Sequence, residues 1–306
     1  MFNCVTVIRY LSVRKREMER PQASDFLQFS WRVEASGYKW VQAVPIDLKE
    51  GKRWKRGQFL CAAPSTGARR LVTDYNPLRT ASGLFKTFAK REPNPELIAA
   101  FAKEYGQLGT GVGEMVVMEG ESFARWGESY PAWKLELERM RQAVELWDAI
   151  ESPDLRMLER RIKWEKDGVF YYSHPKRGKK PPGAKLIRIA TEAENPQILE
   201  RILPDDVIEP AKWALQRIIN NSLKTGASLQ LLFDDGELGL FQAPDSLRSA
   251  MWIQLAQAVS GHKKIVKCRH RQCDTWFQVA PGVGRDGKIY CKPACRAAAH
   301  RKEQKK

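Results

Sequence analysis

The chain has 306 residues and a formal net charge of +16, and 43% of its residues are hydrophobic. This apolar content is enough for a folded core and excludes a wholly disordered chain. No stretch of about 18 consecutive apolar residues occurs, so the sequence predicts no transmembrane helix and no membrane partner. The first residues lack the cleavage site of a signal peptide, and we expect a cytoplasmic protein. Residues 1–24 are predicted to be a disordered extension, with Met18 as an alternative start.

Residues 25–261 are predicted to form one large domain of the α+β class, because strand and helix patterns come in runs and do not alternate strictly. Alternating residues from Phe29 to Trp40 predict a hairpin that turns at Ala35–Gly37. Further on, Asn94-Pro95 predicts the start of a helix, because Asn caps free backbone N–H groups and Pro suits the first helical position.

The longest predicted helix covers residues 131–150. Its apolar residues step by four, three, four and three positions, which predicts a stripe facing the core. The same stripe could pack on a partner helix, so a homodimer through this helix stays open. Pro153 bounds the helix, and a division of the domain into two subdomains near residues 151–160 stays open. The stripe consists of Trp133, Leu137, Met140, Val144 and Trp147.

The second half of this domain repeats both kinds of pattern. Short strands are predicted within residues 160–190, and a helix within Ile208–Leu223. Asp235-Gly236 predicts a tight hairpin turn between two apolar strands, because both positions tolerate positive φ angles. A helix is predicted to start after Ser246 and to end at Gly261, which marks the expected domain boundary.

Charge is concentrated after that boundary. Residues 262–306 hold 13 Lys and Arg against 3 Asp and Glu, a net charge of +10. A basic block of this kind favours contact with nucleic acid, although a solvated tail has the same composition.

Cysteine is concentrated in the same segment. Four of the six cysteines lie within 28 residues, as two close pairs, Cys268/Cys273 and Cys291/Cys295. Two such pairs separated by a hairpin-sized stretch are typical of a four-thiolate Zn²⁺ site. We therefore predict one structural zinc ion. A histidine could replace one ligand, from His262, His270 or His300, whereas Cys4 and Cys61 are predicted to be ordinary small side chains.

The local pattern predicts a zinc finger of treble-clef type. Trp276–Val279 and Lys288–Tyr290 are predicted to form its hairpin, and a helix is predicted from Ala294 to about Lys305. Cys291 would precede this helix and Cys295 would lie in its first turn, where the helix N-terminus favours a thiolate.

The same segment resembles the CGNR-type zinc finger, which closes many bacterial proteins, often behind an ABATE-type helical domain. The resemblance covers about residues 265–302. The Gly-Asn that follows the last cysteine in that family is replaced here by Arg296-Ala297. The residues that carry the resemblance to this family are Cys273-Asp-Thr-Trp-Phe277, Arg285, Tyr290-Cys291 and Cys295-Arg296-Ala297. The resemblance implies a DNA-binding role in the regulation of transcription.

Three kinds of function remain at this point. The favoured one is binding of nucleic acid, double-stranded DNA before RNA, through the finger. The alternative is a structural zinc site in a protein that binds a partner or senses a ligand of unknown identity. Catalysis is not expected, because no catalytic motif occurs and four thiolates close a zinc site. The residues predicted to contact nucleic acid are Arg285, Lys288, Lys292, Arg296, Arg301, Lys302 and Lys305.

Overall fold

A computed structural model gives the fold of the chain, and it contains helices and strands in separate runs, which confirms the predicted α+β class. The predicted extension 1–24, with Met18, lies outside the part that the structure describes. Within that part, no helix is both long and apolar enough to cross a membrane. The described residues are 29–46, 55–64, 72–173, 186–203, 205–234, 237–261, 264–273, 275–279 and 289–303.

The N-terminal part is built mainly on strands. Four of them form an antiparallel sheet that closes on itself in the order β2-β3-β6-β5. The strands are β1 (Trp31–Glu34), β2 (Tyr38–Pro45), β3 (Gly57–Ala62), β4 (Val72–Tyr75), β5 (Gly113–Met118) and β6 (Arg125–Ser129). Apolar side chains fill the inside of the closed sheet, and its buried residues are Ala43, Phe59, Cys61 and Val116.

The predicted hairpin between Phe29 and Trp40 is wrong in its strand pairing. The turn itself forms, since the Gly37 N–H donates to the Glu34 carbonyl oxygen at 2.9 Å. However, β1 pairs with β4, and β2 pairs with β3 and β5. The reason is that β3 and β5 pair with the two edges of β2 in the closed sheet, so β1 pairs with the more distant strand β4.

Helices cover the closed sheet and form most of the core. They are α1 (Pro77–Thr80), α2 (Leu84–Ala89), α3 (Pro95–Tyr105), α4 (Tyr130–Ile150), α5 (Arg156–Arg161), α6 (Pro196–Arg201), α7 (Ile208–Leu223) and α8 (Leu247–Val259). The predicted cap of α3 is confirmed, because the Asn94 side chain accepts the N–H groups of Glu96 and Leu97. Gly106 ends the helix with a φ of 92°.

Helix α4 lies at the centre of the core. Four residues of the predicted stripe, Trp133, Leu137, Met140 and Val144, are buried, while Trp147 is partly buried. The stripe packs on α2, α7 and α8 of the same chain. Its prediction as a core-facing stripe is therefore confirmed. Homodimerisation through α4 stays a prediction, and it would have to use another face of the helix.

The second half adds two small sheets to the same core. Strands β7 (Ile162–Glu165), β8 (Gly168–Tyr172) and β9 (Leu186–Thr191) form one antiparallel sheet against α7. Strands β10 (Ala227–Asp234) and β11 (Glu237–Pro244) pair as the predicted hairpin, whose Asp235-Gly236 turn lies outside the described residues. One apolar cluster joins residues on both sides of the predicted break at 151–160, for example Trp133 and Ile189.

Candidate metal centre

The last described segments form a small unit of two strands and a helix. Strand β12 (Lys264–Lys267) pairs antiparallel with β13 (Trp276–Val279), and helix α9 (Pro293–Glu303) follows. We call residues 264–303 the finger. The predicted pairing of Trp276–Val279 with Lys288–Tyr290 falls partly outside the described residues, since Lys288 is not described, and Ile289 and Tyr290 are not in a strand. Within the described part, β13 pairs with β12, where Val266 lies opposite Phe277 and both contribute to the apolar cluster of the finger.

The four predicted ligands converge at the junction of these elements. The Sγ atoms of Cys268, Cys273, Cys291 and Cys295 all lie within 4.8 Å of one another. Two of the Sγ–Sγ distances, Cys273–Cys291 and Cys291–Cys295, are each 3.6 Å. Four thiolates around a tetrahedral Zn²⁺ ion would be about 3.8 Å apart, since each Zn–S bond is about 2.3 Å. The donor set therefore fits a metal ion of that size and geometry.

Backbone hydrogen bonds fix the positions of three of the four cysteines. The Cys273 N–H donates to the His270 carbonyl oxygen at 2.9 Å, and the Cys268 N–H donates to the Thr275 carbonyl oxygen at 2.9 Å. The Cys295 N–H donates to the Lys292 carbonyl oxygen at 3.1 Å. Cys291 precedes α9 and Cys295 lies in its first turn, as the sequence predicts. The positive end of the helix dipole there favours a thiolate.

Crowding of the thiols resists their simultaneous ionisation. Burial opposes ionisation of Cys273, but hydrogen bonds from Thr275 and the neighbouring thiols lower its pKa to about 7. Burial, together with hydrogen bonds to the other three cysteines, raises the pKa of Cys291 to about 12. A bound dication would reverse this balance, because a metal ion deprotonates the thiols that coordinate it.

Histidines and the remaining cysteines lie apart from this cluster. The side chain of His270 is described and is not among the converging ligands, whereas His262 and the His300 side chain lie outside the description. Cys61 is buried in β3, and burial raises the pKa of its thiol to about 11. It is an ordinary core side chain, as predicted, and Cys4 lies outside the described residues.

A tryptophan of the finger packs against the described part of residues 29–261, which we call the main body. The sequence does not predict this contact. Trp276 lies against Gly83, and no larger residue would fit there, because a Cβ at Gly83 would be 2.4 Å from the Trp276 Cβ. The Nζ atoms of Lys86 and Lys90 each lie 4.6 Å from the centroid of the Trp276 ring. Both contacts are cation–π interactions. The only sequence signal was a tryptophan beside a cysteine pair.

The predicted nucleic-acid contacts divide into three groups. Lys292, Arg296 and Arg301 are exposed on or beside α9. Lys302 lies in α9, but its side chain is not described. Arg285, Lys288 and Lys305 fall outside the described residues. Three basic side chains are therefore placed on the exposed surface next to the cysteine cluster.

Protein-family models, curated proteins and solved structures give no match to the chain. The resemblance of residues 265–302 to the CGNR-type finger therefore stays a prediction. The four-cysteine cluster rests on its own geometry, and it has the form of a metal-binding site.

Proposed function

We propose that the chain binds double-stranded DNA through its finger and acts as a regulator of transcription, with one structural Zn²⁺ held by the four cysteines. The observation that carries this proposal is the exposure of Lys292, Arg296 and Arg301 on the segment that also supplies Cys291 and Cys295. The soft thiolates and their separations favour zinc among the common divalent ions. With zinc bound, the basic side chains would keep a fixed spacing.

Electrostatics would supply most of the affinity. The 13 Lys and Arg of residues 262–306 exceed the acidic residues by ten charges, and neutralised phosphates release their counterions. If roughly six phosphates are contacted, the logarithm of the affinity falls against the logarithm of the salt concentration with a slope of about −5. Contacts of this kind position the protein and do not specify a sequence.

An electrophoretic mobility-shift titration over several salt concentrations tests the proposal. Duplex DNA, single-stranded DNA and RNA of equal length are compared. The variant Arg296→Ala, Arg301→Ala, Lys302→Ala should bind duplex DNA more weakly and flatten the slope by up to about three. Its matched control is Lys134→Ala, Arg160→Ala, Lys212→Ala, which removes the same charge from exposed positions of the main body. Equal losses in both variants would contradict binding through the finger.

A structural role for the finger is the second candidate, and the contact of Trp276 with Gly83 favours it. In this case the zinc site fastens the end of the chain onto α2, and binding of DNA is incidental. The two functions differ in their response to removal of the metal. If the finger binds DNA, chelation of the metal should weaken this binding, because the spacing of the charges is lost. If the finger is only structural, the affinity for DNA should be weak and chelation should leave it unchanged.

Neither candidate involves catalysis at the metal. Four thiolates occupy every position of a tetrahedral ion, so no site remains for a water molecule or a substrate. We therefore expect a structural metal and no metal-dependent hydrolysis.

A further inference from the structure

A cleft lined by four arginines lies outside the finger. It has a volume of about 380 Å³ and is bordered by α4, α7, α8 and β9. This volume falls in the range of pockets that take small molecules. The arginines are Arg139, Arg188, Arg217 and Arg248.

Carboxylates neutralise this cleft only in part. Glu136 lies 3.0 Å from the Arg248 Nε and 3.6 Å from the nearest Arg139 nitrogen, and Glu194 lies 3.2 Å from Arg188. Among the described residues, these are the only two carboxylates within 4 Å of the four guanidinium groups. Within the described part of the chain, the cleft therefore has two positive charges in excess.

Two of the arginines keep donors without charged partners. Arg217 donates to the carbonyl oxygens of Arg188 and Ile189, and no described carboxylate pairs with it. The Arg139 Nε is buried and has no hydrogen-bond partner within the described part of the chain. A buried donor of this kind is costly unless something accepts from it. Among the described residues, Arg217 therefore has no anionic acceptor, and Arg139 has one only at its terminal nitrogen, through Glu136.

The sequence between two of the lining residues contains no carboxylate. Ser173 and Leu186 both line the cleft, and they flank residues 174–185. This segment contains five Lys and Arg and no Asp or Glu. A larger cleft of about 610 Å³ differs, because carboxylates pair with its arginines. Its Arg156 pairs with Asp154 at 2.6 Å, and its Arg161 pairs with Glu145 at 3.3 Å.

We propose that the four-arginine cleft binds a small organic oxyanion, a phosphate monoester or a carboxylate. A guanidinium group presents N–H donors in a fork that matches the oxygens of both anions. The net positive charge attracts the anion, and the enclosed volume leaves room for a small organic group. This binding does not depend on the proposed contact of the finger with DNA.

Isothermal titration of the full chain with phenyl phosphate, benzoate and inorganic phosphate tests the proposal, with phenol as the neutral control. Saturable binding of phenyl phosphate or benzoate, and none of phenol, is expected. The stronger of these two probes identifies the anion as phosphate or carboxylate. Arg139→Gln and Arg217→Gln should each weaken binding about tenfold or more. Lys134→Gln removes the same charge from the exposed side of α4 and should leave the affinity unchanged.

Other results would overturn the proposal. One is the lack of saturable binding of every anion up to about 10 mM. Another is equal weakening by Lys134→Gln. A third is competition of phenyl phosphate with duplex DNA together with loss of DNA affinity in Arg139→Gln, which would assign the cleft to a nucleic-acid surface. Arg139→Lys keeps the charge but not the fork, so weaker binding by a normally folded Arg139→Lys separates recognition from folding.

Discussion

Gly83 and Trp276 touch across 193 positions of sequence. A Cβ placed on Gly83 would lie 2.4 Å from the Trp276 Cβ and 2.8 Å from its carbonyl carbon and oxygen. The backbone of Gly83 has φ −113° and ψ 21°, and alanine tolerates this φ. The requirement for glycine therefore comes from the close approach of the finger.

This contact predicts the effect of Gly83→Ala. The added methyl group collides with backbone atoms of Trp276, so we expect the finger to separate from α2. The free energy of unfolding should fall by about 1–3 kcal/mol. Hydrogen exchange of the amides in β12 and β13 should become faster than in the parent chain, and mass spectrometry of peptides from this region measures it.

A double-mutant cycle with Trp276→Ala supplies the control. Once either substitution has displaced the finger, the other should add little, so the two effects should not be additive. Strictly additive losses, or unchanged exchange in β12 and β13 of Gly83→Ala, would show that the contact does not hold the finger.

The four-cysteine cluster predicts one zinc ion per chain. Elemental analysis of protein purified without added metal should give about one equivalent, because four thiols within 4.8 Å of one another can supply all the ligands of a tetrahedral Zn²⁺ ion. Cys291→Ser with Cys295→Ser should lose it. Cys61→Ala removes a buried thiol away from the cluster and should retain it. An unchanged zinc content in the double variant would refute the assignment.

The sequence predicted the local features well because nearby residues decide them. The cap of α3 needs only Asn94, Pro95 and the following N–H groups, and the Gly106 end needs one positive φ. The spacing of the cysteines likewise fixes which thiols approach one another. The stripe of α4 followed from helical periodicity alone.

The pairings that failed depend on contacts between distant parts of the chain. The turn at Gly37 was predicted correctly, but β1 pairs with β4, because the closed sheet occupies both edges of β2. Local sequence patterns likewise do not predict the contact of Trp276 with Gly83. The expected boundary near Gly261 does coincide with the end of α8, but the division of the chain there stays a prediction.

A buried polar cluster around Glu136 predicts a large loss of stability. Its carboxylate accepts the Trp252 Nε1–H at 2.6 Å and lies 3.0 Å from the Arg248 Nε. Both Glu136 and Arg248 are almost wholly buried. Glu136→Gln removes the charge opposite a buried guanidinium group, so urea unfolding should show a loss of about 3–5 kcal/mol.

Two further variants check this interpretation. Glu138→Gln changes the same residue type two positions away at a partly exposed site and should have little effect. Glu136→Met with Arg248→Met removes both charges and should recover much of the stability, because a buried pair costs desolvation. A double variant as unstable as Glu136→Gln would contradict the role of the unpaired charge.

Glu128 predicts a dependence of stability on pH. Its side chain is fully buried and accepts the N–H groups of Leu108 and Gly109, at 3.0 and 2.5 Å. Burial raises its pKa to about 7 from the ordinary 4.5, although these two hydrogen bonds act in the opposite direction. Between these values the folded chain holds a proton that the unfolded chain releases. The contribution of Glu128 to stability is therefore full below pH 4.5 and is lost as the pH rises towards 7.

Glu128→Gln stays neutral at every pH, so it isolates this effect. The difference in the free energy of unfolding between the variant and the parent chain should shift by about 3 kcal/mol, in favour of the variant, from the acidic to the neutral end. Urea titrations at steps from pH 5 to pH 8 measure it. The variant loses one acceptor for the two N–H groups. This loss lowers its stability by a nearly constant amount at every pH, so the change of the free energy of unfolding with pH is unaffected. If the free energies of unfolding of the parent chain and the variant change with pH in parallel, Glu128 is ionised throughout this range.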